Sequence, residues 1–423
     1  MKMTRSNKLC ENILSLASIR GLEYLLAFIY FPYLVRVLQP EHYGILIFVQ
    51  GIVQYFVLFT EYGFNFLGPR ELARHDSVAE RGIVFSNIFY AKLVLLLSGS
   101  FVFFTGLYSL KLFVNIDIPL YSISFLVVVA NVFFPIWFFQ GMQQMVYITI
   151  ANILGHMIKV LGLFLFVHSS QDYLLAAFFL ALGPAIAAVV AWFIILRKYP
   201  DAIRRPNIIG IKGSLKEGWS LFTTSVAINI YTASSVVFLG LVTNNITVGY
   251  FSGAKRIIDN ITQMMMPISQ AVYPYVSKKA TQSHKDALRF LRKILLILGT
   301  GSFVLSCFIL FFSQWIVDLL LGPGYEEAVS LLAVMAFMPF LIALSNVFAI
   351  QTMLLFGLQK EFNKIALKAA FFNVSLIFPL SYFYGGLGAC IALVITEFYV
   401  TYASWRGLRE KGIYLLKFPD YID

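Results

Sequence analysis

The chain has 423 residues, of which 59% are hydrophobic, 17% aromatic and only 13% charged, and its mean hydropathy is +0.80. Soluble domains carry roughly 25% charged residues, so the composition excludes an ordinary soluble domain and describes an all-α polytopic membrane protein with little mass outside the bilayer. The 32 Lys+Arg against 21 Asp+Glu give a formal net charge of +11, an excess that on such a chain sets topology rather than nucleic-acid affinity; the scattered Cys10, Cys307 and Cys390 exclude a disulfide framework or a zinc site.

Windows of about 20 apolar residues place twelve spans near 13–38, 43–67, 83–108, 118–140, 146–167, 173–196, 218–241, 248–275, 291–313, 328–356, 365–384 and 386–405. The first contains Arg20 and Glu23 and is too long for the apolar region of a cleaved signal peptide. Of the 32 Lys and Arg, 24 fall in connections on the side of the termini and Lys111 alone on the other. Short cytoplasmic loops hold such an excess, so both termini are expected in the cytoplasm. The longest basic connection, with Pro200 and Pro206, marks a seam: an N-terminal six-helix lobe over 1–200, a cytoplasmic linker over 201–217 and a C-terminal six-helix lobe over 218–423. RVLQPEHYGILIF after span one echoes GLVTNNITVGYFS after span seven, with Gly44 and Gly249 in register. Repeats an even number of helices apart insert with the same orientation.

Several spans carry charge, although each Lys, Arg or Asp at a helix centre facing lipid costs about 2.5–3.5 kcal/mol. Span one has Arg20 and Glu23, and span three has Asn87 and Lys92. Span two carries Gln50, Gln54, Glu61 and Asn65, which at 100° per residue fall within about 60° of one another. Span five repeats the device with Asn152, His156 and Lys159, span eight holds Lys255, Arg256 and Asp259 within five positions, and span twelve holds Glu397. Lys368 and Arg36 lie close enough to span ends to snorkel. Lys92 and Lys159 lie deep, where a place on a substrate path and a buried ion pair are the two open readings. Asp259 is spaced to pair with Lys255 or Arg256; Glu61 and Glu397 either pair with lysines or bind a proton or cation. Of the ten charged residues well inside the spans, Arg36 left aside, six are bases and four acids, and a polar cavity of surplus positive charge holds anions.

No H-E-x-x-H, G-x-x-x-x-G-K-[ST] or G-x-S-x-G occurs, so neither zinc hydrolysis, ATP hydrolysis nor serine hydrolysis has a carrier. No connection is long enough for a soluble catalytic domain. The expectation is a transporter with no cofactor and no nucleic-acid partner.

RVLQPEHYG at 36–44, EYGFNFLGPRELAR at 61–74, PIWFFQGMQQM at 135–145, KEGWSLF at 216–222, VYPYVSK at 272–278 and GLGACIALVITE at 386–397 resemble, in order, segments of the Wzx-type polysaccharide repeat-unit flippases of the multidrug/oligosaccharidyl-lipid/polysaccharide exporter superfamily; Gln39 stands where that family usually has glycine. The resemblance implies a two-lobed, twelve-helix fold around a basic central cavity in the bacterial inner membrane. It implies a substrate made of an undecaprenyl-diphosphate-linked oligosaccharide, moved from the cytoplasmic to the periplasmic leaflet by alternating access. It also implies functional bases at Arg20 and at Lys255 or Arg256, a possible H+ or Na+ coupling ion, and a possible polymerase or chain-length regulator as partner. Two rival readings stay open on the residues: a cation-coupled exporter of small amphipathic compounds, and a membrane glycosyltransferase, polymerase or ligase.

Overall fold

A computed structural model describes the backbone of residues 5–75 and 77–416. Side chains are described from Phe28 on, except at 76, 224, 227, 228, 230–233, 266–268, 270, 271, 273, 274 and 278. The described residues form helices α1 (Arg5–Glu61), α2 (Phe64–Arg74), α3 (Val78–Lys111), α4 (Ile118–Phe133), α5 (Ile136–Gly141), α6 (Met145–Phe166), α7 (Tyr173–Lys198), α8 (Ile208–Ala233), α9 (Ser235–Val242), α10 (Asn245–Gln263), α11 (Met266–Gln282), α12 (His284–Phe311), α13 (Ser313–Leu320), α14 (Glu327–Met335), α15 (Met338–Ser345), a π-helix (Asn346–Met353) and α16 (Gln359–Glu410), with no strand among them. In a bilayer every backbone group must be satisfied inside its own segment, and these apolar runs do so as helices.

Eight stretches among the described residues are long and apolar enough to cross a membrane. Two of them, Phe28–Arg74 with 47 residues and Gln359–Glu410 with 52, exceed one crossing, since 52 residues at 1.5 Å each run to about 78 Å against a hydrocarbon core of about 30 Å. Each is interrupted by non-helical backbone, at Gln39 (φ 59°, ψ 167°) and at Gly385 (φ 56°, ψ −132°).

Elsewhere proline sets the breaks. Pro135 separates α4 from α5, because it cannot donate to the carbonyl four residues back. The stretch expected as one span over 248–275 is two helices, broken at Met264 and Met265 ahead of Pro267. Met264, at this helix junction, is 64% exposed. The basic connection is shorter than expected, since α8 begins at Ile208.

The chain divides into two compact units, Met1–Leu38 with Ile45–Val226, and Gln39–Gly44 with Ala227–Asp423. The first is centred on Phe64, Phe85, Trp137, Phe138 and Phe139, all at most 1% exposed. The second has a core of Val276, Leu291, Val347, Met353 and Leu408. In the second unit Gly44 and Gly249, the pair matched by the internal echo, pack together. A Cβ at Gly44 would overlap the Asn245 carbonyl oxygen, and one at Gly249 would overlap that of Pro40, so only glycine admits this backbone approach.

Candidate substrate-contacting residues

In the first unit, three of the family-like segments converge. Tyr62 stacks on Phe222 with centroids 4.8 Å apart and planes at 15°. Arg70 pairs with Glu217 at 2.9 Å, and Gly68 lies so close to Trp137 that a Cβ would enter its ring. Residues 61–74, 135–141 and 216–222 thus form one patch built on buried aromatics. Its exposed ion pair adds only about 0.2–1 kcal/mol, so ring and backbone packing accounts for the residue types in these motifs.

The same unit holds two buried bases. Lys92 on α3 is 2% exposed, and its Nζ donates to the Asn131 carbonyl at 3.1 Å. That carbonyl is free because the residue four ahead is Pro135, which has no N–H; Lys92 closes a gap that the α4–α5 break opens. Glu61 hydrogen-bonds Asn65 and lies within electrostatic reach of Lys92, which brings spans two and three into one polar locus.

Lys159 on α6 is 7% exposed. Its Nζ sits 4.4 Å from the Tyr30 ring centroid, a cation–π contact worth about 2 kcal/mol when desolvated. His156, one turn earlier, lies within electrostatic reach of Lys159. Neither Lys92 nor Lys159 has a carboxylate within 4 Å among the described residues; each is held by neutral groups and keeps its positive field. Asn152 and Gln50 are half-buried and Gln54 is exposed. Arg20 and Glu23 lie outside the residues whose side chains are described.

In the second unit Lys255 bonds Asp259 at 2.6 Å, one turn apart on α10, with the side chains 16% and 34% exposed; Arg256 is half-buried. Glu397 on α16 is 6% exposed and accepts a hydrogen bond from Ser345 at 2.9 Å. Next to Ser345 the π-helix carries a network absent from the expected site residues. Gln351 Nε2 donates to the Ser269 carbonyl at 2.9 Å, and Ser269 Oγ to Asn346 Oδ1 at 2.6 Å. Ser345, Asn346, Gln351 and Thr352 inside an otherwise apolar span are the signal that could have found it. Lys368 and Arg36 are exposed.

These cations, amides and carboxylates provide electrostatic binding. They contain no nucleophile–base pair, and no group of three or more His, Cys, Asp or Glu able to hold a metal occurs among the described residues. Span-length apolar helices that enclose buried bases define a multi-pass membrane protein. Residues 9–280 match the polysaccharide biosynthesis protein family, and the chain belongs to it, among the Wzx-type flippases. It is 32% identical over 94% of its length, and 96% of the relative's, to a protein of Escherichia coli (strain K12) designated an O-antigen transporter. A protein of the same designation in Shigella dysenteriae is 28% identical over 92% and 96% of the two chains. Among solved structures, the chain is similar to the lipid II flippase MurJ in an inward closed conformation (TM-score 0.70, 14% identity, covering 93% of this chain and 87% of that one). It is also similar to an inward-facing multidrug resistance MATE family transporter of the MOP superfamily (TM-score 0.68, 15% identity, covering 93% and 98%).

Proposed function

We propose that this chain is a flippase carrying an undecaprenyl-diphosphate-linked oligosaccharide repeat unit, of O-antigen or a similar surface polysaccharide, from the cytoplasmic to the periplasmic leaflet of the bacterial inner membrane. It would work by alternating access of twelve crossings in two six-helix lobes, with both termini cytoplasmic. The two over-long stretches, each with one backbone break, support counting each as two crossings; the loop asymmetry of Lys and Arg supports the orientation. The observation that carries the reading is Lys159, a buried base held against a tyrosine ring with no carboxylate within 4 Å among the described residues. A diphosphate faces a desolvation barrier of tens of kcal/mol in hydrocarbon by Born reasoning, and Arg20, Lys92, Lys159, Lys255 and Arg256 are the bases that would lower it.

The polar residues Gln50, Gln54, Asn152 and His156 suit sugar hydroxyls. Glu61, Asp259 and Glu397 are the acidic candidates for a coupling H+ or Na+. The test is cellular: removing the chain should make one lipid-linked glycan build up on the cytoplasmic face while its synthesis continues. Unchanged levels of every such glycan would contradict the reading.

A second reading rests on Glu397, a buried carboxylate beside a serine hydroxyl, which suits a cation-coupled exporter of small amphipathic compounds. It wins if alanine at Lys92 and Lys159 leaves transport intact while glutamine at Glu61 or Glu397 abolishes it.

A further inference from the structure

The first unit has an apolar groove of about 540 Å³ along α4 and α7 that the buried bases do not use. Its shape follows from the sequence of α7: Ala181, Ala185 and Ala188 recur at spacings of four and three, which puts small side chains on one helix face. Ala181 and Ala188 are 1% and 4% exposed, while Phe178, Val189 and Phe193 stand 40%, 66% and 55% exposed along the groove. The result is a furrow with a small-residue base and a bulky rim.

Resting on the flippase reading, we infer that this groove receives the prenyl chain of the lipid carrier, with the carrier's diphosphate meeting Arg197 and Lys198 at its end. Two observations select that occupant. The lining on α7 runs from Phe178 to Leu196, about 27 Å at 1.5 Å per residue, close to the full hydrocarbon thickness of about 30 Å. A phospholipid acyl chain stays in one leaflet and fills half of that; a long isoprenoid fills it all.

The second observation is charge. Arg197 and Lys198 follow Leu196 directly, and neither has a carboxylate within 4 Å among the described residues. The Arg197 guanidinium lies 4.4 Å from the ring centroid of Phe193, itself a groove residue. The Lys198 ammonium bonds the Tyr147 hydroxyl at 2.6 Å. Two cations held by aromatic groups at the end of an apolar furrow complement a phosphate joined to a hydrocarbon chain.

The test places a photoreactive benzoylphenylalanine at Val189 in the full chain, reconstituted in phosphatidylcholine discs holding equal amounts of undecaprenyl diphosphate and phosphatidylglycerol. The expected adduct is with undecaprenyl diphosphate, and it falls about tenfold or more in R197Q/K198Q and in A181L/A185L, which fills the furrow. The exposed charge variant keeps the test decisive if the filled groove misfolds. Equal labelling of phosphatidylglycerol, or adduct formation indifferent to R197Q/K198Q, overturns the inference. Labelling without movement of the glycan-bearing lipid across the bilayer sinks the flippase reading and leaves the groove assigned; movement without labelling does the reverse.

Discussion

Lys92 shows how one buried ammonium serves structure before it serves transport. Its hydrogen bond at 3.1 Å satisfies the Asn131 carbonyl left open by Pro135, and an unsatisfied buried acceptor costs about 1–3 kcal/mol. Lys92→Met should lower the thermal midpoint by that equivalent in detergent-solubilised protein, whereas Lys92→Arg, which keeps a donor for the carbonyl, should lower it less. Equal shifts would contradict the assignment. At the opposite extreme of burial, the Glu326 carboxylate is fully exposed and accepts from the Gly324 N–H at 3.1 Å. The backbone N–H groups of Glu326 itself and of Gly324 hold it below the usual carboxylate range. A lowered value means the bond is present at neutral pH and is lost as pH falls through that value. Hydrogen-exchange protection at Gly324, corrected for intrinsic rate, should therefore drop on acidification in the native chain and be insensitive to pH in Glu326→Gln; a pH-independent native profile would contradict this.

At the scale of elements, the breaks carry the information. Gln39 adopts φ 59°, ψ 167°, a region that is essentially glycine's own and costs other residues about 1–3 kcal/mol. This gives the physical reason that the resembling family has glycine there. Gln39→Gly should raise the thermal midpoint by a net of about 1 kcal/mol, since glycine returns some 0.5–1 kcal/mol as chain entropy. Gly385→Ala, at φ 56° and ψ −132°, should lower it by about 1–3 kcal/mol; thermal unfolding of both variants checks the pair, and a gain from Gly385→Ala would refute it. The all-helical character was legible because apolar runs of bilayer length have no other stable form. The break at Met264 was legible in principle, since Pro267 follows it. The π-helix over Asn346–Met353 was not, because its widened turn is fixed by the bonds of Gln351 and Asn346 to Ser269, 77 and more residues away.

Across the whole molecule, depth of charge was readable and choice of partner was not. The sequence places Lys92, Lys159 and Lys255 inside spans, but nothing in it says that a backbone carbonyl holds the first, a tyrosine ring the second and Asp259 the third. Of these only the last follows from helical spacing. The difference separates their expected roles: Lys255 is charge-balanced within its own helix, whereas Lys159 has no carboxylate within 4 Å among the described residues and is the base expected to contribute most to attraction of an anion. The most direct measurement is movement of an undecaprenyl-diphosphate-linked oligosaccharide across proteoliposomes of purified chain, read as glycan accessible to an enzyme added outside. The account predicts transport by the native chain, at least about tenfold less in Lys159→Gln, the rate effect of losing roughly 1.4 kcal/mol, and substantial recovery in Lys159→Arg. Full transport by Lys159→Gln would contradict it.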